Sequence, residues 1–461
     1  MNSHSNVNYW WYTHDNNVID TPKNNKIYYG KTGLDNMGNT CYMNSSIQAI
    51  SNIWVFRRLL FQNEDEIKNT ILLNAPIIYK DHKIFKKKIA PMLVPELKKK
   101  IFSSDYNPSI LNDEEKNVVL NGTMTISLLR LLKEIWYSGN DGINDLHEIN
   151  RTIRPITFRT IFSEAREKFF YGSSQHDAEE AYSCIIQKIH EELSTKKNIG
   201  FKNLSPSYLS YFSKRNDYKK MAINNPELKT ECIRKISELD KSMPENYTLY
   251  RAYKEMYKFH NSGSSIATQL FTSFNKSSLI CPVCGHSSHK FDPFFIVPLS
   301  IPNNGKTIYD CLNNNFKEEI LDEKNLWKCD SCNNSVKAKK TYELWSPPPV
   351  LVIQLKRFSH TGSKNTSFID YPIENLDLEK YLSSTRRNYF VGKTKYNLVS
   401  VVCHSGGLNG GHYIAYGNDN NKWFNFNDSY VSEIRDTNIR STIVTSNAYI
   451  LFYCRNDIVI D

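Results

Sequence analysis

The sequence predicts an α+β fold, a mostly helical half followed by a mostly antiparallel sheet. Three observations carry that expectation. Up to about residue 270 apolar residues recur at steps of three and four, the period of a helix face. Past Phe271 they fall in short runs separated by Gly, Asn and Asp turns, as in strands. Helices first and strands second is α+β order, not the alternation of a parallel-sheet fold. Finally, 461 residues at 40% hydrophobic and 23% charged are globular proportions, with room for about two or three folded units.

Residues 1–32 are polar and Asn-rich and read as an N-terminal extension, with Trp10-Trp11 and Tyr28-Tyr29 as its docking aromatics. From Gly33 the texture tightens. The stretch GLDNMGNT precedes Cys41, and Ile47, Ile50 and Trp54 then mark one helix face. Asn39 or Thr40 is placed to cap that helix, which puts Cys41 in its first turn. Residues 62 to about 125 are Lys- and Asn-rich, poorly periodic, and read largely as an insertion. A second helix runs from about Gln175 to Leu193, with Ala178, Tyr182, Ile185, Ile189 and Leu193 on one stripe. Residues 195–245 read as weakly ordered or additional helical material, with a helix near Tyr250–Phe259. The strand candidates are Phe294–Leu299, Val350–Leu355, Tyr396–Cys403, His412–Tyr416, Trp423–Phe426 and Ala448–Cys454. No internal repeat is evident.

Several function classes are excluded early. Apolar runs such as Val350–Ile353 stop at a handful of residues, whereas a membrane span needs about 20. The first twenty residues lack a basic start, an apolar centre and a small-residue cleavage site, so an intracellular, cytoplasmic location is expected, with the nucleus or an endosome surface also open. The ten cysteines are then expected to be buried, metal-bound or catalytic rather than paired in disulfides. The 58 basic and 48 acidic residues give +10, and Lys83–Lys100 concentrates some of the excess. That run reads as a solvated helix face or an insert; without interleaved aromatics or a recognisable module, no nucleic-acid partner is expected.

Two sets of residues carry chemistry. Cys281-Pro-Val-Cys284 and Cys329-Asp-Ser-Cys332 each form a knuckle whose spacing presents two thiolates to one tetrahedral metal. Zn²⁺ in a structural role is expected, because four thiolates leave no open position for water. The 44 residues between the pairs make the metal a clasp on a long excursion. The second set begins with Cys41. At a helix N-terminus the free N–H groups favour the thiolate, the nucleophilic form. Asn36, five residues earlier in a Gly-punctuated loop, offers the amide N–H₂ an oxyanion hole needs. The base is expected to be His412, which opens a strand directly after the glycine-rich loop CHSGGLNGGH. A hairpin between Tyr416 and Trp423 would lay WFNFNDS beside that strand, bringing Asn427 or Asp428 to the imidazole. Successive strand residues point to opposite faces, so the two cannot face His412 equally.

These segments resemble the ubiquitin-specific proteases. GLDNMGNTCYMNSSIQAI is similar to their cysteine box, and CHSGGLNGGHYIAY with WFNFNDSYV to their histidine box. QHDAEEAY at 175–182, the two CxxC pairs, VLVIQLKRF and AYILFYCR match further landmarks in the family's order, from Gly33 to Arg455. The stretch from about 343 to 455 also resembles the Doa4-like endosomal branch. The resemblance implies a papain-like right hand over residues 33–461. A helical thumb would span about 33–265, interrupted by the insertions at 62–125 and 195–245. Zinc-tipped β fingers would span about 271–345, and an antiparallel β palm about 346–461. It implies a monomeric, thiol-dependent ubiquitinyl hydrolase that acts on ubiquitinated proteins or polyubiquitin chains. Cys41 would attack the carbonyl after ubiquitin's C-terminal glycine, His412 would shuttle the proton, and Asn36 would stabilise the oxyanion. Asp177 would pair with the arginine-containing ubiquitin tail, with Glu180 in the same motif. His404, the Gly406–Gly411 loop with Gly410 and Gly411, and Tyr413 would line the channel for the Gly-Gly tail.

Three departures from the family pattern stand out. His176 replaces the usual second Gln, Ala181 the usual Phe, and Asn427 the more frequent Asp. Asn can accept from an imidazole N–H and fix the tautomer, but it adds no charge. A Cys–His–Asn enzyme is therefore expected, with Asp428 holding a water or donor near the oxyanion site. Asn427→Ala is expected to cost more activity than Asp428→Ala. A ubiquitin-binding scaffold without catalysis and a peptidase for another ubiquitin-like modifier are the competing readings.

Overall fold

The structure is a computed structural model and describes residues 31–80, 94–136, 151–165, 169–196, 204–359, 362–387, 393–407 and 410–458. The N-terminal extension up to residue 30, and Lys83–Ile89 of the basic run, lie outside the described residues.

The helical half begins with β1 (Gly33–Leu34) and α1 (Cys41–Ser51), followed by α2 (Trp54–Gln62) and α3 (Glu64–Ile78). Next come α4 (Val94–Ile101), α5 (Asp113–Asn121), α6 (Met124–Trp136), β2 (Thr152–Ile153), α7 (Ile156–Glu164) and α8 (Ala178–Leu193). All eleven residues of α1 are buried, polar ones included. Buried polar groups are costly unless paired, and most of those in α1 find partners. Ser46 Oγ donates to the Tyr42 and Ala178 carbonyls, and Gln48 Nε2 to the Thr32 carbonyl. The helix does not continue to Trp54 as its apolar spacing suggests. Arg57 Nη1 donates to the Ser51 carbonyl at the helix end, its guanidinium lies 3.3 Å from the Trp136 ring centre, and Trp54 opens the next helix.

The stretch read as an insertion at 62–125 is helical where described and shares the main core. Ile67, Ile71, Leu72, Ala75, Leu97, Ile101, Val119 and Leu120 pack with α1 and α8 in one cluster. Its apolar residues are divided among short helices, so no single long period marks them. Residues 206–262 supply the additional helices: α9 (Pro206–Asn224), α10 (Lys229–Ser242) and α11 (Pro244–Ser262), then α12 (Ile266–Phe271). Tyr208 and Tyr211 of α9 join Leu249, Tyr253 and Met256 of α11 in a separate cluster.

The strands then follow: β3 (Ser273–Ile280), β4 (Ser287–Phe294) and β5 (Val297–Ser300), with α13 (Ile308–Asn315) after them. Short β6 (Glu319–Ile320), β7 (Trp327–Lys328) and β8 (Ser335–Val336) lead to β9 (Lys339–Ser346), β10 (Val350–Lys356) and β11 (Leu376–Asp377). The chain ends through β12 (Lys395–Gly407), β13 (Gly410–Asp419), β14 (Lys422–Asn427), β15 (Tyr430–Ile434) and β16 (Ala448–Arg455). The large sheet has the order β15-β14-β13-β12-β16-β10-β5, with β11 on β12. It is antiparallel except where β5 joins β10 in parallel. Both faces are covered: Val350 and Val352 point into the helical core, Leu351, Ile353 and Leu355 into a second core with α13. That explains the unbroken apolar run there, since a strand buried on both sides needs no alternation. A smaller sheet, β4-β3-β9-β6, carries Cys281 and Cys284 in its β3–β4 turn, and a separate hairpin of β7 and β8 carries Cys329 and Cys332. Between the two pairs the chain returns to the large sheet as β5, so the excursion is made of two separate visits.

Candidate active site

Cys41 is the first residue of α1, and α1 lies against β13. Thr40 occupies the N-cap without capping the helix by its side chain; its Oγ1 instead accepts from the Met37 N–H at 2.9 Å. The expected thiolate-favouring start is outweighed by burial. Cys41 is 3% exposed, and desolvation raises its pKa above the ordinary value. The Asp428 charge acts in the same direction, while the backbone N–H groups of Tyr413, Tyr42 and Cys41 pull it down. A resting thiol follows, which a base must deprotonate.

His412 and Asn427 meet as the hairpin reading requires. Asn420 and Asn421 adopt left-handed φ of 50° and 65° in the two-residue turn, a conformation Asn tolerates, and set Ala415 opposite Phe426. His412 Nε2 lies 2.6 Å from Asn427 Oδ1, so the ring donates there and keeps Nδ1 for the cleft. Among the described residues no hydrogen bond joins His412 to Cys41, a separation common before substrate binds.

Asp428 faces away from the imidazole and toward the cysteine loop. Its Oδ2 accepts from Asn36 Nδ2 at 2.9 Å, and its Oδ1 from Asn44 Nδ2 at 2.8 Å. Asn36 Oδ1 accepts from the Gly38 and Thr40 N–H groups, both at 3.1 Å. The amide is thereby fixed, with one Nδ2 hydrogen committed to Asp428 and the other left for a ligand. Backbone contacts tie the two segments together: Leu34 N–H donates to the Asp428 carbonyl at 2.8 Å. A Cβ on Gly33 would sit 2.2 Å from the Ser429 carbonyl oxygen, so only glycine allows this approach.

The glycine-rich loop pairs Gly406 with Gly411 and Ser405 with His412 across β12 and β13. A Cβ on Gly411 would fall 2.2 Å from His404 Nε2. His404 and Tyr413 were expected to line a channel, but both are buried, with ring centres 4.4 Å apart. They back the glycine strand from beneath. Burial, with Lys364 and His412 adding to it, lowers the His404 pKa to about 4, so its ring is neutral. Lys364 Nζ spans the loop, donating to the His404 and Gly406 carbonyls at 2.7 and 3.0 Å. Asp177 is the N-cap of α8: Oδ1 accepts from Glu179 N–H and Oδ2 from the Tyr449 hydroxyl at 2.6 Å. Glu180, in the first turn of that helix, is half-buried. His176 fits an aromatic nest of Tyr42, Phe169 and Phe170, and Ala181 is fully buried. Two residues the sequence reading passed over belong here: Asn44, which holds Asp428, and Gln175, which touches Gly411 and Cys41. The position of Gln175 beside the noted QHDA motif was the one available signal.

Far from the cleft, the four cysteines converge. The sulfurs of Cys281 and Cys332 are 3.8 Å apart, those of Cys284 and Cys329 3.6 Å, and all four lie within 4.8 Å of one another. A tetrahedral site with metal–sulfur bonds of about 2.3 Å has sulfurs about 3.8 Å apart, so the set fits a metal ion. Gly285 and Asn333, both at positive φ, close the two turns, and each donates its N–H to the carbonyl of the first cysteine of its pair.

The comparisons agree with this architecture. The family described as ubiquitin carboxyl-terminal hydrolase matches residues 32–453. A probable ubiquitin carboxyl-terminal hydrolase, R319, of Acanthamoeba polyphaga mimivirus is 40% identical over 455 residues, 96% of this chain and 93% of its own length. Ubiquitin carboxyl-terminal hydrolase 2 of Homo sapiens is 28% identical over 438 residues; the match takes in 93% of this chain but 56% of that protein's length. Among solved structures, the SAGA Ubp8/Sgf11/Sus1/Sgf73 DUB module bound to ubiquitin aldehyde contains a chain of the same fold. Its TM-score is 0.57 at 22% identity, over 95% of this chain and 72% of that chain. The chain belongs to the ubiquitin carboxyl-terminal hydrolase family of thiol-dependent cysteine peptidases.

Proposed function

We propose that this chain removes ubiquitin from proteins or polyubiquitin chains, cleaving the bond after ubiquitin's C-terminal glycine. The observation that carries the reading is that α1, which starts at the buried Cys41, lies against β13, whose His412 is held by Asn427, while Gly406 and Gly411 sit where a side chain would collide with its neighbours. His412 takes the Cys41 proton as the sulfur attacks the glycine carbonyl carbon. The free N–H of Asn36, held by Asp428, donates to the oxyanion. The C–N bond breaks, the imidazolium returns its proton to the leaving amine, and water later hydrolyses the thioester. Asn427 fixes the imidazole tautomer. Asp177 and Glu180 face the incoming tail, and Gly410 and Gly411 narrow its path. Cys281, Cys284, Cys329 and Cys332 would hold Zn²⁺, which when bound would join the β3–β4 turn of the small sheet to the β7–β8 hairpin. Among the described residues no helix is long and apolar enough to cross a membrane.

The deciding measurement is release of a fluorophore from ubiquitin's C-terminal glycine by the full chain and by Cys41→Ala. Release by the wild type alone, with a fall of about 10⁴-fold or more in the variant, is expected. No release by either, with ubiquitin still bound in a titration, would make the protein a scaffold. Equal competition by a second Gly-Gly modifier would widen its substrate.

A further inference from the structure

Gln175 has no part in the mechanism above. Its carboxamide nevertheless engages Gly411 with both ends: Nε2 donates to the Gly411 carbonyl at 2.6 Å, and Oε1 accepts from the Gly411 N–H at 3.2 Å. Two strands exchange the same pair of bonds, so the side chain acts here as one more rung on the edge of β13. The same nitrogen lies 4.0 Å from Cys41 Sγ, and an amide nitrogen carries two hydrogens, one for each acceptor. A single side chain therefore spans the nucleophile and the residue immediately before the base. Its own root is anchored, because two residues later Asp177 caps α8 and binds the Tyr449 hydroxyl. Gly411 is also held from the other side, where the His404 ring leaves no space for a Cβ.

We infer that Gln175 is a positioning residue for the peptidase reaction: its carboxamide sets the His412 strand against Cys41 and hydrogen-bonds the sulfur as it ionises. The inference rests on the proposed reading of Cys41 as the nucleophile. It predicts more than a structural brace. A brace would affect folding, whereas this clamp also acts on the charge state of the thiol.

The test uses the full chain with Gln175→Ala, Gln175→Glu and Cys41→Ala. Three quantities are read: kcat and KM for fluorogenic ubiquitin, the pH dependence of Cys41 alkylation by iodoacetamide, and the melting temperature. Gln175→Ala is expected to lower kcat by about ten- to a hundredfold with KM little changed, and to move the alkylation midpoint to higher pH. The carboxyl introduced by Gln175→Glu can still pair with Gly411 when protonated. Ionised, it has no donor for the Gly411 carbonyl and sets a negative charge beside the sulfur. The kcat ratio of Gln175→Glu to Gln175→Ala is therefore expected to fall as pH rises. An unchanged alkylation profile and kcat in Gln175→Ala overturns the inference and leaves the peptidase reading intact. If Gln175→Ala melts early, the Gln175→Glu series on folded protein decides, and an alkylation midpoint and a kcat–pH profile both equal to wild type overturn the inference. Hydrolysis surviving in Cys41→Ala would instead overturn the peptidase reading.

Discussion

Cys281 and Cys332, the outermost members of the metal cluster, are 51 positions apart, whereas Asn36 and Asp428 in the cleft are separated by 392. The cluster is made by two turns whose geometry is written locally, in a Gly or Asn at positive φ just past each pair. The cleft is made by tertiary structure: β1, α1, the start of α8 and the β13–β14 hairpin each supply one or two side chains. Cys281 and Cys329 are as buried as Cys41, so what separates the two kinds of cysteine is not exposure but what would ionise them. A bound metal would hold the first set in its ionised form. For Cys41 burial raises the cost of ionisation, which His412, the proposed base, would meet.

Breaking the cluster is the strongest test of that division. Metal binding contributes about 10–16 kcal/mol in small zinc domains, enough to decide whether a local unit folds. Cys329→Ser, or removal of metal by a chelator, is expected to abolish tight ubiquitin binding while Cys41 still alkylates at the wild-type rate. Metal analysis, a binding titration and the alkylation rate check this. Loss of alkylation along with binding would show that the cleft depends on the cluster after all.

Within the cleft, the neighbours Asn427 and Asp428 separate two jobs. Asn427 touches the imidazole at 2.6 Å, and Asp428 acts one step removed, through Asn36. Asn427→Ala is expected to lower kcat the more, by about 10²–10³-fold, with Asp428→Ala below it, as both leave the substrate tail's path unaltered. Steady-state kinetics on the two variants decides the order. The reverse order would mean that placing the oxyanion donor outranks orienting the base, and that Asn44, which holds Asp428 at 2.8 Å, belongs to the machinery.

What was legible in the sequence follows the same line. The CxxC pairs, the helix start at Cys41 and the hairpin between Tyr416 and Trp423 are local, and each stands where its residues place it. Gln175 and Asn44 were missed because their partners lie 236 and 384 positions away. The end of α1 was missed because Trp54 keeps the helical spacing, whereas Asn52 and Arg57 satisfy the carbonyls at the helix end. The state of the Cys41 thiol was misjudged because a helix N-terminus can be read from sequence and desolvation cannot. Tyr413 sits on an expected strand and His404 just past the end of one, but which face is covered depends on Phe358 and Tyr449 beyond them.

The smallest expected effect sharpens the contrast through pH. Glu192, at the end of α8, is fully buried and accepts from the Met124 and Thr125 N–H groups and the Thr125 hydroxyl at the start of α6. Burial raises its pKa from an ordinary 4.5 to about 7, with those three donors pulling the other way. Between those values the folded protein keeps a proton that the unfolded chain has released. Stability from this group is therefore full below about 4.5 and falls as pH rises through about 7, by about 3 kcal/mol in all. The cysteine cluster runs the opposite way, because thiols must lose protons to bind metal and hold it better as pH rises. Urea midpoints measured across this window are expected to fall with pH in the wild type and to flatten in Glu192→Gln, while metal retention rises in both. A slope that survives in Glu192→Gln would assign the window to other groups. It would also remove the claim that the helical core and the metal cluster answer to pH in opposite senses.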